Sequence, residues 1–118
     1  MRNSLVGAGL LLLSSFAYAE PLENYFQCSL NEGKTMADAV QFLRSYQAAV
    51  GEKWDDYPVK ILMPMYSEYA GPGKFVWFGG FDSADMHEIG TWFRGSEWPA
   101  RFQEVMTCGS SSLWRRLD

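Results

Sequence analysis

The densest apolar stretch of the chain runs from residue 74 to residue 81, with the sequence KFVWFGGF. Successive side chains of a β-strand point to opposite faces of the sheet. One face of this stretch would carry Trp77 and Phe81, and the other would carry Val76 and Phe78. Because both faces are apolar, the stretch is interpreted as a central strand of a sheet.

The spacing of a helix appears first in the segment before residue 51. Thr35 and Asp38 resemble a capping box at its start, and Gly51 is a suitable end. Between them, apolar residues recur at steps of three and four. The predicted stripe along this helix is Met36, Val40, Leu43, Gln47 and Val50, with Ala39 and Tyr46 beside it.

A second helical pattern follows the central strand and is interrupted. It covers residues 86–93, stops at Gly95 and resumes over residues 98–106. Asp82 or Ser83 is expected to cap the first of these two helices, because a short side-chain oxygen can accept a hydrogen bond from the free backbone amides there.

Three further segments have the composition of strands: Tyr25–Leu30, which follows a polar leader at residues 20–24, then Pro58–Tyr66 and Ser110–Leu117. Pro64 has no amide proton, which places the second of these strands at a sheet edge. The order βαββαβ predicts an α+β fold of the ferredoxin-like type. Such a fold has a four-stranded antiparallel sheet, helices on one face, and the first and third strands at its centre.

The N-terminus has the pattern of a secretory signal peptide. Arg2 gives a positive start, an apolar run covers residues 5–16, and residues 17–19 form a small-x-small cleavage site. The run is shorter than the roughly 20 apolar residues of a membrane-spanning helix, and a retained anchor is the alternative. We expect residues 1–19 to be removed and residues 20–118 to form one domain in the periplasm or outside the cell.

The charge of the chain argues against two classes of partner. The formal net charge is −4, and it becomes −5 when Arg2 is removed with the leader. An acidic protein with scattered basic residues is poorly suited to nucleic acid and to anionic membrane surfaces. We expect neither as a partner, and no membrane attachment after cleavage.

Cys28 and Cys108 are the only cysteines of the chain. An even number in a small exported domain indicates a disulfide. Cys28 lies near the end of the first strand and Cys108 near the start of the last, and the ferredoxin-like order brings these two places together. The cysteine spacing does not suit a zinc site and His87 is the only histidine, so no metal site is predicted.

The second apolar face of the central strand indicates a partner. Helices cover only one face of the predicted sheet, so Val76 and Phe78 would be exposed on the other. Packing two copies sheet to sheet would bury both side chains. We therefore expect a homodimer through the outer face of the sheet.

Residues 78–106 resemble a known superfamily. The sequence GGFDSADM at residues 79–86, followed by WFRGSEWPARFQEV at residues 92–105, is similar to the second half of dimeric α/β-barrel proteins, which include small antibiotic-biosynthesis-type monooxygenases. The resemblance implies a homodimer with a ligand cleft between sheet and helices. It fixes no activity, because the superfamily contains catalytic and non-catalytic members.

A haem-degrading branch of the same superfamily is disfavoured. That branch places a tryptophan at the end of the third strand and a histidine on the following helix. Phe81 stands at the tryptophan position here, and Thr91 or Trp92 stands at the histidine position. No haem and no other cofactor is expected.

Aromatic side chains are the candidates for lining the implied cleft. They are Tyr66, Trp77, Phe81 and Trp92, although packing in a core or an interface is the more common use of large aromatic residues. His87 is the candidate for proton transfer near neutral pH. Its place at the flank of the helical stripe favours a half-exposed residue without a chemical role.

Two functions remain open from the sequence. The first is a non-catalytic, homodimeric, exported module that binds a small apolar or aromatic ligand. The alternative is a cofactor-independent monooxygenase-like enzyme of the same superfamily. The first is favoured because His87 alone could move protons near neutral pH, and no nucleophile elbow is present in the sequence.

Overall fold

The computed structural model describes residues 20–118, so the predicted leader at residues 1–19 lies outside the described residues. Within them, four strands and three helices follow one another along the chain. The strands are β1 (Pro21–Leu30), β2 (Val59–Leu62), β3 (Lys74–Asp82) and β4 (Met106–Arg115), and the helices are α1 (Met36–Gly51), α2 (Met86–Arg94) and α3 (Trp98–Val105).

The strands form one sheet in the order β2-β3-β1-β4, and every neighbouring pair is antiparallel. β1 and β3 are therefore central and β4 lies beside β1, as predicted from the order of the elements. The predicted α+β class with a four-stranded antiparallel sheet is confirmed, and so is the interpretation of residues 74–81 as a central strand.

The predicted disulfide is also confirmed. Cys28 of β1 and Cys108 of β4 stand opposite each other in the register of the two strands and are bonded. Cys28 is buried on the inner face of the sheet. The bond therefore fastens the edge strand β4 to the centre of the sheet.

The inner face of the sheet and the helices enclose the core. The buried side of α1 carries Ala39, Phe42, Tyr46 and Val50, so it is rotated from the predicted stripe. The rotation places the rings of Phe42 and Tyr46 at 6.0 Å and 5.9 Å from the ring of Trp77 on β3. Burial of these large rings outweighs the exposure of the smaller aliphatic residues beside them. The buried core is Cys28, Ala39, Phe42, Tyr46, Val50, Trp54, Val59, Phe75, Trp77, Ile89, Trp98 and Met106.

The ends of three strands, β1, β2 and β4, differ from the prediction. β1 begins at Pro21 instead of Tyr25, because both neighbouring strands extend far enough to pair with the polar segment before Tyr25: Pro21 stands opposite Asp82, and Leu22 stands opposite Arg115. A polar segment has little strand pattern of its own, so pairing on both sides decides its structure.

β2 is shorter than predicted and ends at Leu62 instead of Tyr66. Leu62 is the last residue of β2 that pairs with β3, opposite Val76. Pro64, two residues further along the chain, has no amide proton to donate to the ladder. The methionines after Leu62 consequently project outward, and Met65 is 88% exposed.

β4 begins earlier than predicted. The prediction placed Met106 on the last helix, ended that helix at Cys108-Gly109 and began the strand at Ser110. In the structure α3 ends at Val105, and Met106 opens β4 opposite Leu30. Met106 is 2% exposed, so its burial is supplied by the strand and not by a helical stripe.

The capping predictions have different outcomes. The Thr35 hydroxyl accepts from the Asp38 amide and the Asp38 carboxylate accepts from the Thr35 amide, which confirms the capping box of α1. The prediction for Asp82 and Ser83 is wrong, since neither side chain caps α2. A 3₁₀ turn occupies Ser83–Asp85, and the Ser83 hydroxyl accepts from the Glu20 amide at 2.9 Å instead.

Candidate functional site

A cleft of about 420 Å³ lies between the inner face of the sheet and the helices α2 and α3. Ligand pockets of proteins commonly measure about 300–1,000 Å³. The cleft is lined mainly by aromatic side chains, namely Phe26, Tyr46, Tyr57, Trp77, Phe81, Phe93 and Phe102. The lining has the aromatic composition of a hydrophobic core, and part of it borders open space.

The sequence of β3 places one wall of this cleft. Trp77, Gly79 and Phe81 alternate along the strand and face the helices, while Val76 and Phe78 face away. A Cβ atom at Gly79 would lie 3.3 Å from a ring carbon of Tyr57, so the absence of a side chain lets that ring approach the strand. The wall therefore consists of two large rings with Tyr57 beside the gap between them.

Two tyrosine hydroxyls meet in the wall. The hydroxyl oxygens of Tyr46 and Tyr57 are 3.2 Å apart, and Tyr46 is 2% exposed. Gln47 holds the segment of Tyr57: its side-chain amide donates to the Tyr57 carbonyl at 3.2 Å and accepts from the Val59 amide at 2.9 Å. A residue of α1 and a residue of the following turn are thereby fixed against each other.

Burial governs the protonation of the two tyrosines. Loss of solvation raises the pKa of Tyr46 far above its ordinary value, and the neighbouring Tyr57 adds to the increase. Burial also raises the pKa of Tyr57, although the hydrogen bond to Tyr46 acts in the opposite direction. Both phenols therefore remain neutral across the physiological pH range.

The lining of the cleft carries no formal charge. Besides the two tyrosines, its polar residues are Asn24 and Gln103. All of the lining residues lie within residues 20–118, and they include no Asp, Glu, Lys, Arg or His. Met86 of α2 lies at the rim and is 46% exposed. Such a surface suits a neutral ligand, since a buried charge without a partner is costly.

The structure brings two of the four predicted cleft residues together. Trp77 and Phe81 line the cleft. Tyr66 is fully exposed in the loop after β2. Trp92 is half-buried, does not belong to the lining and packs beside Trp54 at a ring distance of 5.4 Å.

His87 is exposed on α2 and does not line the cleft. Within residues 20–118 no hydrogen bond or ion pair fixes its ring. Its neighbour Glu88 is engaged elsewhere and accepts from the indole N–H of Trp54 at 3.2 Å. Among the described residues, His87 therefore lacks the hydrogen-bonded partner that would orient it as a general base.

Metal and membrane sites are not found in the described part of the chain. Among residues 20–118, no group of three or more His, Cys, Asp or Glu side chains is placed to hold a metal ion. No helix described here combines the length and the apolar character needed to cross a membrane.

Several lining residues were not selected from the sequence as site residues. Tyr46 and Phe102 lie in helical patterns and were interpreted as packing residues, and Phe26 lies within the predicted first strand. A helical or strand pattern can place a residue on the side that packs, but it could not show that one side of their cluster stays open. Tyr57 lies in a polar turn, where no local pattern indicates burial.

No protein-family model, no curated protein and no solved structure matches this chain significantly. The comparisons therefore give no support to the resemblance to dimeric α/β-barrel proteins. The interpretation of the site is based on its own geometry.

Proposed function

We propose that this protein is a binding module that holds a small, neutral apolar or aromatic ligand in the cleft, without catalysis. The observation that supports the proposal is an open cleft with an aromatic lining and no charged side chain. Stacking and edge contacts with such rings favour flat apolar ligands beyond simple burial of area.

The pKa values of the titratable side chains in the lining favour ligand binding over acid–base catalysis. General acid–base catalysis requires a group whose pKa lies near the working pH. The titratable groups in the lining are Tyr46 and Tyr57, and burial raises the pKa of each. These phenols can donate hydrogen bonds to a ligand, but they are poor bases at neutral pH.

The finer fold assignment is part of the same proposal. We assign the domain to the ferredoxin-like, dimeric α/β-barrel type because β1 and β3 are central and the helices cover one face. Export is proposed on the signal-peptide pattern of residues 1–19, and the bond between Cys28 and Cys108 is compatible with an oxidising compartment.

A homodimer through the outer face of the sheet completes the proposal. The centre of this face is apolar: Val76 and Phe78 are half-buried without helices above them, and the rings of Phe78 and Tyr25 are 5.2 Å apart. A groove of about 550 Å³ runs beside them toward β4, with Glu23 and Gln27 in its lining. An apolar centre with polar groups around it is a common arrangement in protein interfaces.

The strand β3 offers a matched pair of variants to test ligand binding. Phe81 and Phe78 are both half-buried phenylalanines, and they point to opposite faces. Binding of 2-ethylnaphthalene to the disulfide-bonded protein is measured by tryptophan fluorescence. We expect Phe81→Ala to raise the Kd about tenfold or more, because it removes an aromatic wall. We expect Phe78→Ala to leave the Kd unchanged.

Two results would contradict the proposal. Failure of the unaltered protein to bind the probe up to its solubility limit would refute a ligand-binding cleft. Equal effects of Phe81→Ala and Phe78→Ala, with both variants folded by near-ultraviolet circular dichroism, would place binding somewhere other than the cleft.

A further inference from the structure

The two tyrosine hydroxyls in the cleft wall leave one proton without an acceptor. Tyr46 and Tyr57 have one O–H each, and their oxygens are 3.2 Å apart. When one hydroxyl donates to the other, the accepting hydroxyl keeps its own proton free. Within residues 20–118, neither hydroxyl has another hydrogen-bond partner.

Either hydroxyl of the pair can hold this free proton: the Tyr46 side chain is buried and the Tyr57 side chain is half-buried. Tyr46 is 2% exposed, and the rings of both tyrosines line the cleft. The rings of Trp77 and Trp98 lie at 5.9 Å and 5.2 Å from that of Tyr46, and they offer no acceptor of comparable strength. Buried polar groups in proteins nearly always have a partner, and leaving one unpaired is costly.

We propose that the ligand of the cleft is a neutral aromatic carbonyl compound whose oxygen accepts a hydrogen bond from the Tyr46–Tyr57 hydroxyl pair. The inference depends on the proposed function, since it specifies the ligand of the same cleft. Ketone, aldehyde and quinone oxygens all present the acceptor that the pair lacks. A hydrocarbon ligand would displace any water from the pair and leave the donor unpaired.

The surroundings of the pair select a neutral acceptor over an anion. No Lys, Arg or His side chain is among the lining residues, so an anion would have no counter-charge in the cleft. Burial raises the pKa of both tyrosines, which keeps the pair protonated and able to donate.

The test compares two probes of nearly the same shape. 2-Acetylnaphthalene has a carbonyl oxygen, and 2-ethylnaphthalene lacks it. The Kd of each is measured for the unaltered protein and for the double variant Tyr46→Phe/Tyr57→Phe. Comparing the ratio of the two Kd values between the two proteins cancels the difference in hydration between the free probes. We expect the double variant to reduce the relative preference for the ketone by about threefold to tenfold, the effect of one hydrogen bond.

The double variant is chosen for its small effect on folding. It removes both members of the hydroxyl pair and leaves neither unpaired, which is nearly neutral when shape is kept. Tyr25→Phe is the matched control, because the Tyr25 hydroxyl donates to Glu23 on the outer face at 2.8 Å. The control should keep the preference of the unaltered protein. The single variants Tyr46→Phe and Tyr57→Phe are measured in the same way. The variant that loses more of the preference for the ketone identifies the hydroxyl that donates to the ketone oxygen.

Infrared spectroscopy gives a measurement that needs no variant. The carbonyl stretch of bound 2-acetylnaphthalene should lie at a lower frequency than in hydrocarbon solvent. An unshifted stretch, or an equal preference in the unaltered protein and the double variant, would overturn this inference while leaving the binding function intact. Failure of both probes to bind would overturn the proposed function and this inference with it.

Discussion

Reduction of the bond between Cys28 and Cys108 is expected to remove a large part of the stability of this domain. β4 is an edge strand that pairs only with β1. Of its ten residues, Met106 is buried and the remaining nine are exposed. Hydrophobic burial therefore holds β4 weakly, and the covalent bond to β1 carries more of its attachment.

The magnitude follows from the length of the loop that the bond closes. The two cysteines are 80 residues apart in the sequence. Closing a loop of this length lowers the entropy of the unfolded chain and contributes about 4.5 kcal/mol in the chain-entropy estimate. The free energy of unfolding for domains of this size is about 5–15 kcal/mol. Reduction should therefore remove between about a third and nearly all of that free energy, and the reduced protein should be marginally stable if the oxidised protein lies at the lower end of the range.

Urea denaturation of the oxidised and the thiol-reduced protein, followed by circular dichroism, measures this difference. The reduced protein keeps both sulfur atoms, so its comparison with the oxidised protein isolates the cross-link. The variant Cys28→Ala/Cys108→Ala should lose slightly more, because Cys28 is fully buried and its sulfur fills core volume. A loss below about 1 kcal/mol on reduction would refute the reasoning, since loop closure alone predicts several times more.

Two further predictions concern the buried tyrosines and the outer face. Burial raises the pKa of Tyr46 and Tyr57 in the folded protein, so the unfolded chain loses protons first above pH 10 and the free energy of unfolding falls as the pH rises. Tyr46→Phe should lessen this fall by about 1.4 kcal/mol per pH unit in urea titrations above pH 10. Equal slopes in the variant and the unaltered protein would contradict the burial of Tyr46. On the outer face, Phe78→Asp should convert the proposed dimer to a monomer in light scattering, while Met65→Asp, at an exposed site away from the sheet, should keep the dimer mass. A monomeric unaltered protein, or a Phe78→Asp variant that stays dimeric, would exclude an interface at this face.

Local patterns of the sequence determined the order and type of the elements. The capping box at Thr35 and the interruption at Gly95 depend on neighbours within one turn of chain, so the sequence alone identifies them. The alternation along β3 likewise determined that Trp77 and Phe78 point to opposite faces. The pairing of Cys28 with Cys108 could be predicted because two cysteines allow one intramolecular bond and the element order brings their strands together.

Tertiary structure alone decided the ends of the strands and the composition of the cleft. Pro21 and Met106 belong to strands because partners on the neighbouring strands extend to meet them, which no local pattern contains. Tyr57 lies in a polar turn, and it is half-buried against the sheet because Gly79 leaves room for its ring and Gln47 holds its backbone. Periodicity reports which side of an element is apolar, whereas the open space beside Tyr46 depends on how far the helices stand from the sheet.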